Sequence, residues 1–366
     1  MGIVLASAAL GVVSGGCSSQ GAGDGGASDS GAPEAGDSGE QTCPAMPTPL
    51  PFVRGSSALP MDGALRINHL QAKATHNSYH LQPSADLIDW AFSHKPLAEQ
   101  FEQQGVRGVE LDVQWSHDCG RLEVFHIGIF DDRTTCRLFT DCLLQIRGWS
   151  ASHPGHHPLF IQIEPKFALS PQTDESRIQA LEKEILAVFE RPWLITPDDV
   201  RGASPTLAKG IKDHGWPTLG EARGRVLFFL NEGGALRDRY TRDRTSLDGR
   251  LLFAEARQDD PVAGVMILND PIGDSEAIKK ALASGYIVRT RADSLPGTLR
   301  STDRSGRDAA LAGGAQIVST DFPAPVEGVP YSLSIPDGTP SRCSPVTAPP
   351  GCAPLAIEDP SKLGRK

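Results

Sequence analysis

At 366 residues, with 39% hydrophobic and 22% charged side chains, the chain can bury a sizeable core as one large domain or two ordinary ones. Its net charge of −10 and the lack of any long basic run argue against a nucleic-acid binder, which needs clustered Lys and Arg against phosphate. The same acidity argues against steady electrostatic attachment to anionic lipid.

The amino end is an apolar, small-residue run from Ile3 to Val13, followed by Ser14-Gly15-Gly16-Cys17. It is too short for a bilayer span, which needs ~20 residues. Residues 1–17 resemble a signal peptide of lipoprotein type, in which Cys17 would carry the lipid. They depart from that pattern in having no Lys or Arg before the run and Ser at position 14, so a plain secretory signal is the alternative. Residues 18–50 begin with a Gly, Ser, Ala and Asp stretch that cannot bury enough surface to offset its ordering entropy, and read as a flexible tether. Six further cysteines, Cys43, Cys119, Cys136, Cys142, Cys343 and Cys352, fit disulfides in an exported protein. They allow fifteen pairings, of which Cys343 with Cys352, closing a short Pro-rich loop in the tail, is the simplest expectation. None has a zinc-site spacing.

Downstream, apolar runs alternate with helical patterns. Strands are expected at 69–74, 106–113, 122–127, 158–163, 225–230, 251–253, 265–268, 286–289 and 316–319, with the second and third as a hairpin. Helices are expected at 84–104 with Ser84 as cap, and at 137–152, 175–190, 276–284 and 301–312. About eight β-runs separated by helices favour an α/β fold, a closed (β/α)8 TIM-type barrel over 51–325. An open doubly wound sheet would carry a Gly-rich turn after its first strand, and none is present. Residues 326–366 form a Pro- and Cys-rich tail.

Within 73–166, four phrases place polar residues at the ends of apolar runs, where such a barrel carries its chemistry: KATHNSY, GVELDV, LEVFHIG and IQIEPK. The strand period puts Glu110 and Asp112 on one face, where two carboxylates repel and call for a cation. Glu164 ends the fourth phrase before Pro165, a residue that closes strands. Together with the amide oxygen of Asn77, these acids form an oxygen-only set suited to Ca2+. His76 and His126 make an acid–base pair suited to phosphoryl transfer, and Lys166 a point charge for a phosphate. Alone, each phrase has a plainer reading: a solvated acidic strand, a surface ion pair, a structural histidine. His153, His156 and His157 read as a surface loop before a strand.

In this order, the THNSY, VELDV, VFHIG and IQIEPK phrases resemble the catalytic half of calcium-dependent phosphatidylinositol-specific phospholipase C, in its bacterial secreted branch. The resemblance extends over about 65–323 and implies the barrel of the PLC-like phosphodiesterases. It implies His76 and His126 as the catalytic pair, and Asn77, Glu110, Asp112 and Glu164 as calcium ligands. Lys166, Arg289 and Arg291 would contact phosphate or headgroup. The expected reaction is cleavage of phosphatidylinositol to diacylglycerol and a cyclic inositol phosphate by an exported or envelope-anchored monomer that meets the membrane peripherally. Trp193, Leu194 and Ile195 are candidates for insertion into the bilayer, or for burial. Two rivals stand beside this reading. A glycerophosphodiester phosphodiesterase usually carries His-Arg and His-Asp where this chain has His76-Asn77 and His126-Ile127. A headgroup-binding envelope lipoprotein would not need both histidines.

Overall fold

The computed structural model describes residues 43–364, apart from 56–57, 85–89, 168–173 and 301; the signal-like run, Cys17 and most of the expected tether lie outside the described residues. Eleven strands are described: β1 Leu70–Thr75, β2 Gly108–Ser116, β3 Arg121–Val124, β4 Leu159–Pro165, β5 Leu194–Ile195, β6 Val226–Leu230, β7 Phe253–Ala254, β8 Val265–Ile267, β9 Ile287–Arg291, β10 Ile317–Thr320 and β11 Arg342–Cys343.

Eight of these run parallel and curl in the order β7-β6-β4-β2-β1-β10-β9-β8, and a parallel bridge between Glu255 and Val265 joins β7 to β8. The result is the TIM-type barrel, with its thinnest wall at that bridge. Short β5 adds a parallel rung beside the start of β6. All of β1 and β6 is buried, as are the first six residues of β2. Strands covered on both faces read as near-continuous apolar runs rather than alternating ones. At Gly108 a side chain would bring its Cβ to 2.8 Å from that of Ala74, so glycine lets β1 and β2 meet at this rung.

Helices Phe139–Ser152, Asp174–Val188, Ser275–Ala283 and Ser305–Ala312 lie where periodicity placed them. The first expected helix is shorter: Leu97–Gln104 is helical, Ala91–Pro96 is neither helix nor strand, and 85–89 lie outside the described residues. Gly105, in the left-handed region at φ 65°, ends it by donating to Gln100 O. Trp193, Leu194 and Ile195 are buried, so they offer nothing to a bilayer: β5 and the indole bond to Leu50 O pack them under the chain.

The carboxyl tail is part of the barrel's structure. β11 pairs antiparallel with β1, and Glu358 reaches under the barrel to Arg107, Nε to Oε1 3.0 Å, with both side chains buried. His156 and His157 lie against this pair and are fully buried, not on the surface as the Gly/Pro surroundings suggested. Buried imidazoles need partners, and they have them. His157 faces the Pro158 carbonyl at 2.9 Å and the Ser341 hydroxyl at 2.7 Å. The disulfides are Cys43–Cys119, Cys136–Cys142 and Cys343–Cys352, the last as expected from loop length.

Candidate active site and cation centre

The carboxyl ends of β1, β2, β4, β6, β9 and β10 converge on one mouth. The register sets Asp112 opposite Glu164 across the β2–β4 ladder, and Ser319 opposite Arg291 across β10–β9. Glu110, Asp112 and Glu164 each bring a carboxylate oxygen within 4.8 Å of the others. Glu110 and Asp112 are buried, and neither oxygen of Asp112 has a hydrogen-bond partner. Lys166 stands by at 3.2 Å from Asp112 Oδ2 and pairs with Glu164. Burial first, then the neighbouring charges of Glu164 and Glu110, push the Asp112 carboxyl well above the usual carboxylate range. Crowded and oxygen-only, with two of its three carboxylates buried, the cluster fits a hard divalent cation.

Asn77 follows β1 at φ 44°, a left-handed conformation that asparagine tolerates better than most residues. Its neighbour Ser78 is pinned to the rung of Glu110: Ser78 N donates to Glu110 O at 3.0 Å, and Glu110 N donates to Ser78 Oγ at 2.8 Å. This places Asn77 beside the acidic strand. Glu164 is held from the other side by Asn231, which follows β6 and donates from Nδ2 to Oε2 at 2.7 Å. Arg289 is buried and committed: it donates to Glu110 Oε2 at 2.6 Å, to Ser319 Oγ at 3.1 Å, and to Asn269. The residue expected to face a headgroup therefore orients a carboxylate of the cluster.

Each histidine has an aspartate behind it. His76 Nδ1 lies 2.8 Å from Asp321 Oδ1, and Arg291 donates to Asp321 Oδ2 at 3.1 Å. Arg291 Nη1 also stands 3.5 Å from His76 Nε2. Burial, then the charge of Arg291, hold His76 well below its ordinary range. With Nδ1 donating to a carboxylate, Nε2 presents its lone pair to the mouth. Asp321 is itself oriented by its backbone N–H, which donates to Asp293 Oδ1 at 2.9 Å.

His126 arrives by a different route. It is carried by the returning arm of the β2–β3 hairpin, in which Val113 pairs with Val124, rather than by the end of a barrel strand. Its Nδ1 lies 2.7 Å from Asp131 Oδ2. The other oxygen of Asp131 faces His80 Nε2 at 2.8 Å, and His80 stacks on Phe92 with ring centroids 4.3 Å apart. Burial would raise the Asp131 carboxyl, but the hydrogen bonds of His126 and His80 outweigh it and hold the group below its usual range. His76 also packs toward Phe92, at 6.3 Å between centroids, so one ring lies against both His76 and the His80 that shares Asp131 with His126.

Asp321, Asp131, His80, Asn231 and Asn269 were not foreseen as site residues. Asp321 had a signal, because it stands in the last β-run's closing phrase. Asp131 had only its position in a polar turn, and His80 looked like any lone histidine.

A profile of the family "Phosphoinositide phospholipase C, Ca2+-dependent" matches residues 117–345, more than half of the chain. That span includes His126, Glu164, Lys166, Arg289 and Arg291, while His76, Asn77, Glu110 and Asp112 precede it. Among solved structures, the calcium-dependent phosphoinositol-specific phospholipase C of a Gram-negative Pseudomonas sp. superposes at a TM-score of 0.56 with 19% identity, covering 78% of this chain and 98% of that one. Its myo-inositol complex matches at 0.56 and 19%, covering 80% and 100%. The calcium-dependent enzyme of Streptomyces antibioticus matches at 0.53 and 18%, covering 71% and 96%. No curated relative matches the chain in sequence. The structural likenesses carry the fold, and the profile carries the family: this chain belongs to the calcium-dependent phosphoinositide phospholipases C.

Proposed function

We propose that the protein is an exported, calcium-dependent phospholipase C that cleaves phosphatidylinositol to diacylglycerol and a cyclic inositol phosphate. The observation that carries the reading is the pairing of two aspartate-backed histidines with a three-carboxylate cluster, two of its acids buried, at one barrel mouth. Three disulfides support an exported chain. It meets its lipid peripherally, as a monomer.

Glu110, Asp112, Glu164 and Asn77 would hold Ca2+. When bound, the ion lowers the pKa of the inositol 2-hydroxyl and offsets charge gathering on the phosphate. His76 Nε2 takes the proton of the 2-hydroxyl as its oxygen forms a bond to phosphorus. The bond from phosphorus to the glycerol oxygen breaks, and protonated His126 gives its Nε2 proton to that oxygen. Asp131 steadies the His126 cation, and Asp321 fixes the His76 tautomer. Lys166 and Arg291 face the phosphate, while Arg289 keeps Glu110 in place. Because the nucleophile is tethered to the phosphate it attacks, the first step needs no activated water.

The test is product analysis after incubation with phosphatidylinositol vesicles, with calcium and with excess chelator. Cyclic inositol phosphate and diacylglycerol should form only with calcium. Full turnover in chelator would sink the metal assignment. Hydrolysis of glycerophosphoinositol with intact phosphatidylinositol would point instead to a glycerophosphodiesterase.

A further inference from the structure

At the amino ends of the barrel strands, opposite the mouth, lies a second polar cavity. It measures about 530 Å³, and its lining includes Arg54, Arg66, Asp199, Thr218, Glu221 and Arg225. Arg66 precedes the turn Ile67–His69 that leads into β1. Arg225 stands immediately before β6, where β5 adds its rung by pairing Leu194 with Val226. Asn231, which holds Glu164 at the mouth, follows the far end of that strand. The length of β6, roughly 17 Å at ~3.3 Å per residue, therefore separates this cavity from the cation cluster.

Its arginines are held in place without being neutralised. Arg54 donates from Nη2 to the Glu221 carbonyl at 2.9 Å, and Arg66 from Nη1 to the Trp216 carbonyl. Among the described residues these carbonyls are the polar partners of the two side chains, and each guanidinium has five N–H donors. Arg225 donates from Nε to Pro192 O at 3.1 Å and shares Asp199 with Arg191. Both carboxylates of the lining already have donors. Asp199 accepts from Arg191 on each oxygen at 3.2 Å, and from Thr196 N at 3.0 Å. Glu221 accepts from Thr218 N and Oγ1, both at 2.8 Å, in the capping box of helix Leu219–Ala222. Burial pushes the Arg225 guanidinium below its ordinary range; Asp199 opposes this, while the charges of Arg191 and Arg54 add to it. An excess of positive charge thus faces this cavity, in a chain whose net charge is −10.

We propose that this basal cavity binds a soluble polyol phosphate, its phosphate against Arg54, Arg66 and Arg225 and its hydroxyls on Asp199, Glu221 and Thr218. Guanidinium forks match phosphate oxygens two at a time, and a dianion relieves the repulsion among them. The volume falls among small-molecule sites, which run ~300–1,000 Å³, so it accommodates more than a bare phosphate. Trp216 lines the cavity but is fully buried, with Nε1 donating to Gly285 O at 2.8 Å, which leaves no indole face for a nucleobase. A membrane headgroup is not the source, because a bilayer met at the mouth lies beyond the far end of β6. The site stands independently of the phospholipase reading.

The test is isothermal titration of the full chain with glucose 6-phosphate, glycerol 3-phosphate and inositol 1-phosphate, beside inorganic phosphate and free glucose. Excess chelator is present throughout, so that calcium holds no phosphate at the mouth. At least one of the three esters should bind more tightly than inorganic phosphate, and glucose should give no heat of binding. Arg54→Gln and Arg66→Gln should each weaken that ester by about tenfold or more, the loss of a hydrogen bond to a charged group. Arg291→Gln, at the mouth, should leave its affinity unchanged. Circular dichroism and the unliganded Tm report whether each variant is folded, and Arg54 is exposed, so its variant keeps the test open if Arg66→Gln unfolds. The bound ester should also raise the Tm of the parent and not that of the Arg54 variant at the same concentration. A parent that binds none of the three esters would overturn the proposal. So would binding that is lost in Arg291→Gln and kept in both basal variants, which would put the anion at the mouth. Equal affinity for inorganic phosphate would overturn the polyol assignment and leave a site for a bare anion.

Discussion

At the scale of single residues, the site depends on two hydrogen bonds that hold imidazole rings. In the proposed reaction His126 carries its proton on Nε2, and Asp131 favours this by accepting from Nδ1 at 2.7 Å. Asp131→Asn keeps the shape of the side chain but removes the charge that stabilises a protonated His126. Turnover on phosphatidylinositol should fall by about 10²–10⁴ with a small change in KM. The same variant should lose far less on a substrate whose leaving group is very acidic, since that oxygen departs without a proton. Equal losses on both substrates would remove His126 from the role of general acid. Asp321→Asn should instead slow both substrates alike, because in the proposed reaction His76 acts on the attacking hydroxyl rather than on the leaving group. The histidines and the acids could be picked from the chain because each closes an apolar run. Their aspartate partners could not, because Asp131 lies five residues from His126 in a turn and Asp321 lies 245 residues from His76. A contact across the barrel leaves no trace in local periodicity.

At the scale of elements, the strands were the legible part and the edges were not. Buried runs such as Val226–Leu230 read directly as strands, because a strand covered on both faces is apolar throughout. The first helix is shorter than its pattern, because the polar and apolar alternation of 84–104 does not show that Ala91–Pro96 stays out of the helix, with His94 bonded to the His76 carbonyl. The tail was opaque for another reason. Its weight lies in one buried ion pair, and a lone Glu near a chain end looks solvated in sequence. Glu358 accepts from Arg107 and from the backbone of His157. Glu358→Ala would leave the buried Arg107 without a counter-charge, a change that costs about 3–5 kcal/mol. Urea unfolding followed by circular dichroism should show that loss as a lower midpoint at unchanged slope. A shift under about 0.5 kcal/mol would mean that the pair is solvated in solution.

For the whole molecule, the same region makes stability sensitive to acid. Burial holds His156 at about 3 and His157 at about 4, well below the ordinary value near 6.5. The unfolded chain takes up those protons as pH falls through 6.5, while the native chain refuses them until near 4. Stability from the neutral rings is therefore complete above about pH 6.5 and lost on acidification below it, by about 1.4 kcal/mol per pH unit for each ring. Glu358 acts in a lower window. Its burial would raise it, but Arg107 and His157 prevail and hold it below its ordinary range. Its contribution is present above about pH 4.5 and is lost as pH falls through its depressed native value. Thermal unfolding should thus show a Tm that declines from about pH 6.5, above the window of Glu358, and steepens below about 4.5. His157→Gln keeps a polar group for Ser341 but cannot gain a proton. It should start less stable and show a flatter decline between pH 6.5 and 4.5. A Tm that is level from pH 7 to 5 in the parent, or a slope unchanged by the substitution, would show that these rings are not held neutral by the fold.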